Sequence, residues 1–271
     1  MTVRRRLDAE LVRRGLLGSR SQAVDAITAG RVLVAGSRAD APARLVNPAE
    51  SIALTGSPPR FVSRGGEKLA AALDAFSVAP VGRRALDAGA STGGFTDCLL
   101  QYGAAQVVAV DVGRGQLAWS IRNDPRVTVM ERTNVRELDA AAIGGAVDLV
   151  VADLSFISLL TVAPALAACA ARGAAFVLLV KPQFEAGRAR VGKGGIVRDP
   201  EVHRAVLREV RDGLAALGIT VIDVVASPLR GADGNTEFLF HALHGAAIAA
   251  SGRGPADDAS LDAVLEGVAA R

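Results

Sequence analysis

The chain has 271 residues, half of them apolar, and a mean hydropathy of +0.31. This excludes a disordered or coiled-coil protein and allows one large domain or two unequal ones. The 31 Lys+Arg and 28 Asp+Glu nearly balance, but residues 1–60 hold ten arginines against five acids, net +5, which leaves the remainder at −2.

The first segment reads helix, helix, strands. Leu7, Leu11 and Val12 mark an apolar stripe, and Ser19 or Ser21 is a candidate cap for a second helix carrying Ala23, Val24 and Ile27 and ending at Gly30. Arg31–Val34 and Ser51–Leu54 read as short strands, and Gly56-Ser-Pro-Pro59 as a linker. The expected domains are a basic module over 1–58, a linker and start of the second domain over 59–83, a large domain over 84–245, and a weakly anchored tail over 246–271 that ends in one helix.

From Arg84 strands and helices alternate. Strands are expected at Ala85–Asp87, Gln106–Asp111, Val127–Glu131, Val147–Asp153, Ala174–Lys181, Thr220–Ala226 and Glu237–Leu243, with a helix over Arg198–Leu217. This predicts an α/β fold, a Rossmann-like, largely parallel seven-stranded sheet with helices on both faces. No helix separates the last two strands, so they should form an antiparallel hairpin at one edge. The apolar run 161–180 is interrupted by Pro164 and by Arg172-Gly173, and is read as helix, turn and strand in place of a membrane span.

Other classes are disfavoured. Cys98 and Cys169 give no disulfide framework, which suits a reducing cytoplasm, and three histidines without paired cysteines give no zinc pattern or other metal site. Arginines 4–6 are followed by no apolar stretch of signal-peptide type.

The first large-domain strand runs into Asp87-Ala-Gly-Ala-Ser-Thr-Gly-Gly94 and a helix from Phe95 to Tyr102. A glycine-rich turn between strand and helix lets backbone approach a nucleotide-like ligand. The spacing is neither GxGxxG nor a phosphate loop. Asp87 could face an ammonium group, Asp111 could accept two ribose hydroxyls, and Asn134 could border an adenine or be a plain loop residue. Gly89, Ala90, Ser91, Thr92, Gly93 and Gly94 would line the turn. Together they favour S-adenosylmethionine over a nicotinamide cofactor.

Asp153 ends the fourth strand and Lys181 the fifth, and carboxyl ends of parallel strands line the ligand crevice. Glu237 opens the last strand, and Lys68 lies just before the first. The chain has only three lysines, Lys68, Lys181 and Lys193, and lysine, unlike arginine, can give up a proton near neutral pH.

Four stretches carry a resemblance: Val62-Ser-Arg-Gly-Gly-Glu-Lys-Leu69, Asp87-Ala-Gly-Ala-Ser-Thr-Gly-Gly-Phe-Thr96, Asp153-Leu-Ser-Phe156 and Lys181-Pro-Gln-Phe-Glu185, with Gly192-Lys-Gly-Gly-Ile-Val-Arg-Asp199 beside them. On these the chain resembles the TlyA family, haemolysin A-like proteins identified as ribosomal RNA ribose 2′-O-methyltransferases, to about residue 245. The large domain looks like the FtsJ-like methyltransferases, whose Lys-Asp-Lys-Glu tetrad would fall on Lys68, Asp153, Lys181 and Glu237. The basic segment is similar to the RNA-binding domain of ribosomal protein S-four.

The resemblance implies S-adenosylmethionine-dependent 2′-O-methylation of rRNA, at cytidine in 16S and/or 23S rRNA. Lys181 would then bond the attacking oxygen and take its proton, helped by a neighbouring cation such as Lys68. Asp153 would orient Lys181, and Asp153 also borders the cofactor. Expected RNA contacts are Arg4, Arg5, Arg6, Arg13, Arg14, Arg20 and Arg31, continued by Arg60 and Arg64, and Lys193. Phe156 or Phe184 could receive a flipped base. The competing readings are a membrane-active haemolysin and a non-catalytic RNA-binding assembly factor.

Overall fold

In a computed structural model of the chain, residues 4–18, 20–56, 59–231, 234–245 and 254–270 are described. The chain divides into two compact units, Met1–Pro59 and Arg60–Arg271.

The first unit contains β1 (Arg5–Arg6), α1 (Leu7–Arg13), α2 (Arg20–Thr28), β2 (Val32–Val34), β3 (Ser37–Arg38), β4 (Leu45–Val46) and β5 (Ile52–Leu54). The strands make two small antiparallel sheets, β1–β4 and β3–β2–β5. Leu7 and Leu11 of α1 meet Ala23, Ala26 and Ile27 of α2 and Val32 and Val34 of β2 in one buried cluster. Ser19 lies outside the described residues, and Ser21 falls inside α2, so it does not cap that helix. Gly30 ends the helix region with φ +69°.

The second unit begins with α3 (Gly65–Phe76), which the paired glycines at its start hid from pattern reading. It continues through β6 (Arg84–Ala88), α4 (Gly94–Gln101), β7 (Gln106–Asp111), α5 (Trp119–Arg122), β8 (Val127–Glu131), β9 (Val147–Ala152), α6 (Leu159–Cys169), β10 (Ala170–Val180), α7 (Pro182–Glu185), α8 (Pro200–Ala215), β11 (Ile219–Ala226), β12 (Phe238–His244) and α9 (Asp258–Ala269). One seven-stranded sheet results, in the order β11-β12-β10-β9-β6-β7-β8. The five strands from β10 to β8 are parallel, and β12 is antiparallel to both its neighbours. Alternate side chains of each buried strand feed two apolar layers: Leu86, Val150 and Phe176 lie in one, Ala85, Leu149 and Val177 in the other.

Two expectations need correction. Pro164 does not interrupt α6; it sits within the helix, which runs on to Cys169, and Arg172-Gly173 lies in β10 where the register to β9 shifts. Nor is the C-terminal helix weakly anchored. Leu261 is fully buried and Leu265 nearly so, Ala256 N donates to Val221 O at 2.9 Å, and Arg204 reaches Asp262 at 2.6 Å. An apolar stripe of two leucines over one turn was too short to stand out by periodicity. No described helix is long and apolar enough to cross a membrane. Among the described residues no group of three His, Cys, Asp or Glu side chains is arranged to hold a metal ion.

Candidate active site

Strand register assembles the reacting groups. Ala88 pairs with Ala152, Ala152 with Leu178, and Val180 with Phe238. Asp153 and Lys181, one residue beyond β9 and β10, therefore reach the carboxyl edge of the sheet. Because β12 runs the other way, Glu237, one residue before it, reaches the same edge. Lys68 comes from the first turn of α3, whose approach to α4 depends on a missing side chain: a Cβ on Gly94 would lie 2.2 Å from Ser63 Oγ and 3.0 Å from Gly66 N.

The tetrad is organised as two ion pairs. Lys68 Nζ donates to Glu237 Oε2 at 2.5 Å, both side chains almost fully buried. Lys181 Nζ lies 2.6 Å from Asp153 Oδ1 and also donates to Ser155 Oγ at 2.9 Å. A buried charge without a partner is costly, so each lysine is held by its acid. Lys68, expected as a neighbouring cation of Lys181, has its charge matched by Glu237.

Beside this edge lies the glycine-rich turn. Gly89 has φ +89°, and a Cβ there would come within 2.5 Å of Asp153 O, so only glycine lets the turn pass the end of β9. Gly89 N and Ala90 N both donate to Val110 O, Ser91 has φ +48°, Thr92 O accepts from Ala118 N, and Gly93 opens α4 with φ +95°. Asp111 braces the turn: Oδ2 accepts from Ser91 N at 2.8 Å and Oδ1 from Gly113 N at 2.6 Å. Each oxygen keeps a further lone pair, and the residue is half-buried, so vicinal hydroxyls can still bond there. This glycine cradle and carboxylate fit the ribose and amino-acid parts of S-adenosylmethionine.

Asp87 behaves otherwise than expected. It has no exposed surface, so it does not itself face a ligand's ammonium group. Oδ2 accepts from Thr96 Oγ1 at 2.6 Å, Oδ1 has no partner, and burial raises the carboxyl to about 7. Asn134 is a cap: its Oδ1 accepts from Arg136 N at 3.2 Å and its Nδ2 donates to Glu137 at 3.2 Å, which favours the plain loop reading.

The loop after β9 presents Phe156, 91% exposed and at φ +65°, with its ring 5.2 Å from that of Phe184. Glu185 fixes the loop's far end. Its Oε2 accepts from Ser158 Oγ at 2.6 Å and its Oε1 from Leu159 N at 2.7 Å, capping α6, and burial raises its carboxyl above the usual range. Asn235, buried, ties the Lys193 loop to the approach of Glu237: Val197 N donates to its Oδ1 and its Nδ2 donates to Gly195 O, both at 2.9 Å. Lys193 itself is exposed. Pattern reading missed Ser155, Thr96, Glu185 and Asn235. Ser155, Thr96 and Glu185 lay within the motifs it singled out; Asn235 did not.

The basic residues fall into two groups. Asp8 and Glu10, buried on α1, engage four of them. Asp8 takes Arg6 and Arg20, each at 2.9 Å; Glu10 takes Arg13 at 2.6 Å and Arg14 at 2.8 Å. Arg14 also donates to Glu50 O and Pro48 O. Arg60 stacks over Phe61 and Tyr102 and donates to the Tyr102 hydroxyl at 3.2 Å. Arg4, Arg5 and Arg64 are exposed without an ion pair among the described residues, and Arg31 is half-buried.

The profile of FtsJ-like methyltransferases matches residues 61–243, and that of the S4 domain residues 5–52. A Mycobacterium tuberculosis protein named 16S/23S rRNA (cytidine-2′-O)-methyltransferase TlyA is 54% identical over 98% of this chain and 100% of its own. Bacillus subtilis YqxC, provisionally named an rRNA methyltransferase, is 48% identical over 88% of this chain and 85% of its own. A solved structure from Streptococcus thermophilus, provisionally named a hemolysin, has 38% identity and a TM-score of 0.78 over 98% of this chain and 96% of that one.

Proposed function

The chain belongs to the TlyA family of FtsJ-like methyltransferases, and from this we propose that it methylates a ribose 2′-hydroxyl of ribosomal RNA, at cytidine as its Mycobacterium tuberculosis relative is named to do. The observation that carries the reading is the Lys181 amine, held by Asp153 at the sheet's carboxyl edge, next to the glycine cradle.

A ribose hydroxyl is a poor nucleophile near neutral pH, so the site must align it and remove one proton. When bound, S-adenosylmethionine supplies a methyl group activated by its sulfonium. Asp111 would hold the ribose of that donor, and the turn from Gly89 to Gly94 would hold its amino-acid end. Lys181 bonds the attacking oxygen and receives its proton, while Asp153 keeps the amine in place and stabilises the ammonium that forms. The Lys68–Glu237 pair walls the site without adding net charge. Arginine at 181 would keep the charge but not accept the proton.

RNA is held by phosphate contacts, for which Arg4, Arg5, Arg64 and Lys193 are exposed and without an ion pair among the described residues. Arg6, Arg13, Arg14, Arg20, Arg31 and Arg60 contribute through what their existing bonds leave open. Phe156, exposed and backed by Phe184, would stack on a base turned out of its helix. The reading places the protein in the cytoplasm, with ribosomal subunits or their RNA as partner.

The decisive measurement is mass mapping of ribose methylation in rRNA from cells with and without the gene. A cytidine methyl group is expected to vanish, and to return with the wild type but not with Lys181→Ala, whose transfer rate should fall by about 10²–10⁴. An unchanged methylation map would overturn the reading.

A further inference from the structure

The loop Asp153-Leu-Ser155 gives Lys181 two acceptors. Asp153 Oδ1 takes one direction of the nitrogen at 2.6 Å, and Ser155 Oγ takes a second at 2.9 Å. The Phe184 ring centroid lies 5.9 Å from Nζ, and among the described residues Nζ has no third hydrogen-bond or ion-pair partner. Ser155 is exposed, so water could satisfy its hydroxyl, yet it lies against the nearly buried Lys181.

Resting on the methyl-transfer reading, we propose that Ser155 is a positioning residue that aims the Lys181 lone pair. Lys181 stands in an ion pair, so before the step its ammonium passes one proton to solvent; the neutral amine that results has two N–H bonds and one lone pair. With one N–H on Asp153 and the other on Ser155, the lone pair occupies the remaining tetrahedral direction, where the ribose hydroxyl must come. Without Ser155 the amine rotates about its terminal C–N bond, held only by Asp153, and its lone pair points at the substrate for part of the time. In the step itself the 2′-O–H proton moves to Lys181 Nζ while the oxygen bonds the methyl carbon. The carbon–sulfur electron pair stays on sulfur, leaving a neutral thioether, a methyl ether and a lysine ammonium. Asp153 and Ser155 then accept from that ammonium as they do in the structure.

The test is single-turnover transfer of labelled methyl from S-adenosylmethionine to ribosomal subunits that lack the modification, with wild type, Ser155→Ala, Ser155→Thr and Lys181→Ala. Ser155→Ala should lower the maximal rate about tenfold, the size of one lost hydrogen bond to a charged group. The subunit KM and the S-adenosylmethionine Kd should stay within about twofold. Ser155→Thr, which keeps the hydroxyl, should recover most of the rate. A purely structural role would move KM, Kd or thermal stability, and threonine would not selectively restore the rate. The proposal is overturned if Ser155→Ala matches wild type, if its loss lies in KM, or if threonine fails to rescue. The methyl-transfer reading fails differently, by wild type transferring no label or by Lys181→Ala being as fast as wild type.

Discussion

Burial sets the behaviour of Asp87. With the carboxyl at about 7 in the folded chain and 3.8 unfolded, both states are neutral below about pH 3.8. Between there and about pH 7 only the unfolded chain ionises, so folding loses stability as pH rises, by up to about 4 kcal/mol, and then levels off. Asp87→Asn cannot ionise. The difference in melting temperature between wild type and this variant should therefore slope across pH 4–7 and flatten above it, as read by calorimetry; a difference without slope would rule out the buried neutral acid. Asp87 stood out in the sequence because it closes the expected strand before the glycines, but its depth did not, because spacing gives no measure of burial. Ser155 was illegible for a related reason: in a loop, which atom a hydroxyl meets depends on a backbone path that no periodicity encodes. Lys181 and Asp153 were legible because a parallel strand's carboxyl end fixes where the next side chain must be.

Among elements, α9 departs most from its expected part. Leu261 has no exposed surface and packs with the layer that holds Val221 and Val210. Leu261→Ala should cost about 2–4 kcal/mol, measured by urea unfolding of the full chain. A cost below about 0.5 kcal/mol would restore the loose tail. The seven strands of the sheet were readable because each carries an apolar run, most of them with Gly, Pro or Asp at or near one end, whereas α3 begins with two glycines that usually end helices. Its glycines serve packing, with Gly66 against the Phe61 ring and Gly94 of α4 against Ser63. The small strands β1, β3 and β4, each two residues long, carry no period at all.

At the scale of the whole molecule, the basic character of the first unit is partly internal. Glu10 sits without exposed surface between Arg13 and Arg14, which hold its carboxyl down at about 2 against 4.5 unfolded. That stability is fully present above pH 4.5 and is lost as pH falls towards 2. Glu10→Gln should destabilise this unit by about 2 kcal/mol at pH 7, seen as faster amide exchange at Val32–Val34, with the gap closing in acid. Arg5→Ala, with no ion pair to lose among the described residues, should leave folding unchanged and reduce the salt slope of rRNA binding by about 1. An unchanged slope would remove Arg5 from the RNA contacts.

The antiparallel β12 has a consequence for the order in which the protein is made. Lys68 receives its counter-charge from a residue 169 positions later, so a nascent chain carries that lysine unmatched until those further residues have been synthesised. Fragments ending before Glu237 lack both the counter-charge and the strand that closes β10, and so cannot form a complete site. The Lys68–Glu237 pairing thus becomes possible only late in synthesis, shortly before the residues that tie α9 to Val221 and Arg204 are made.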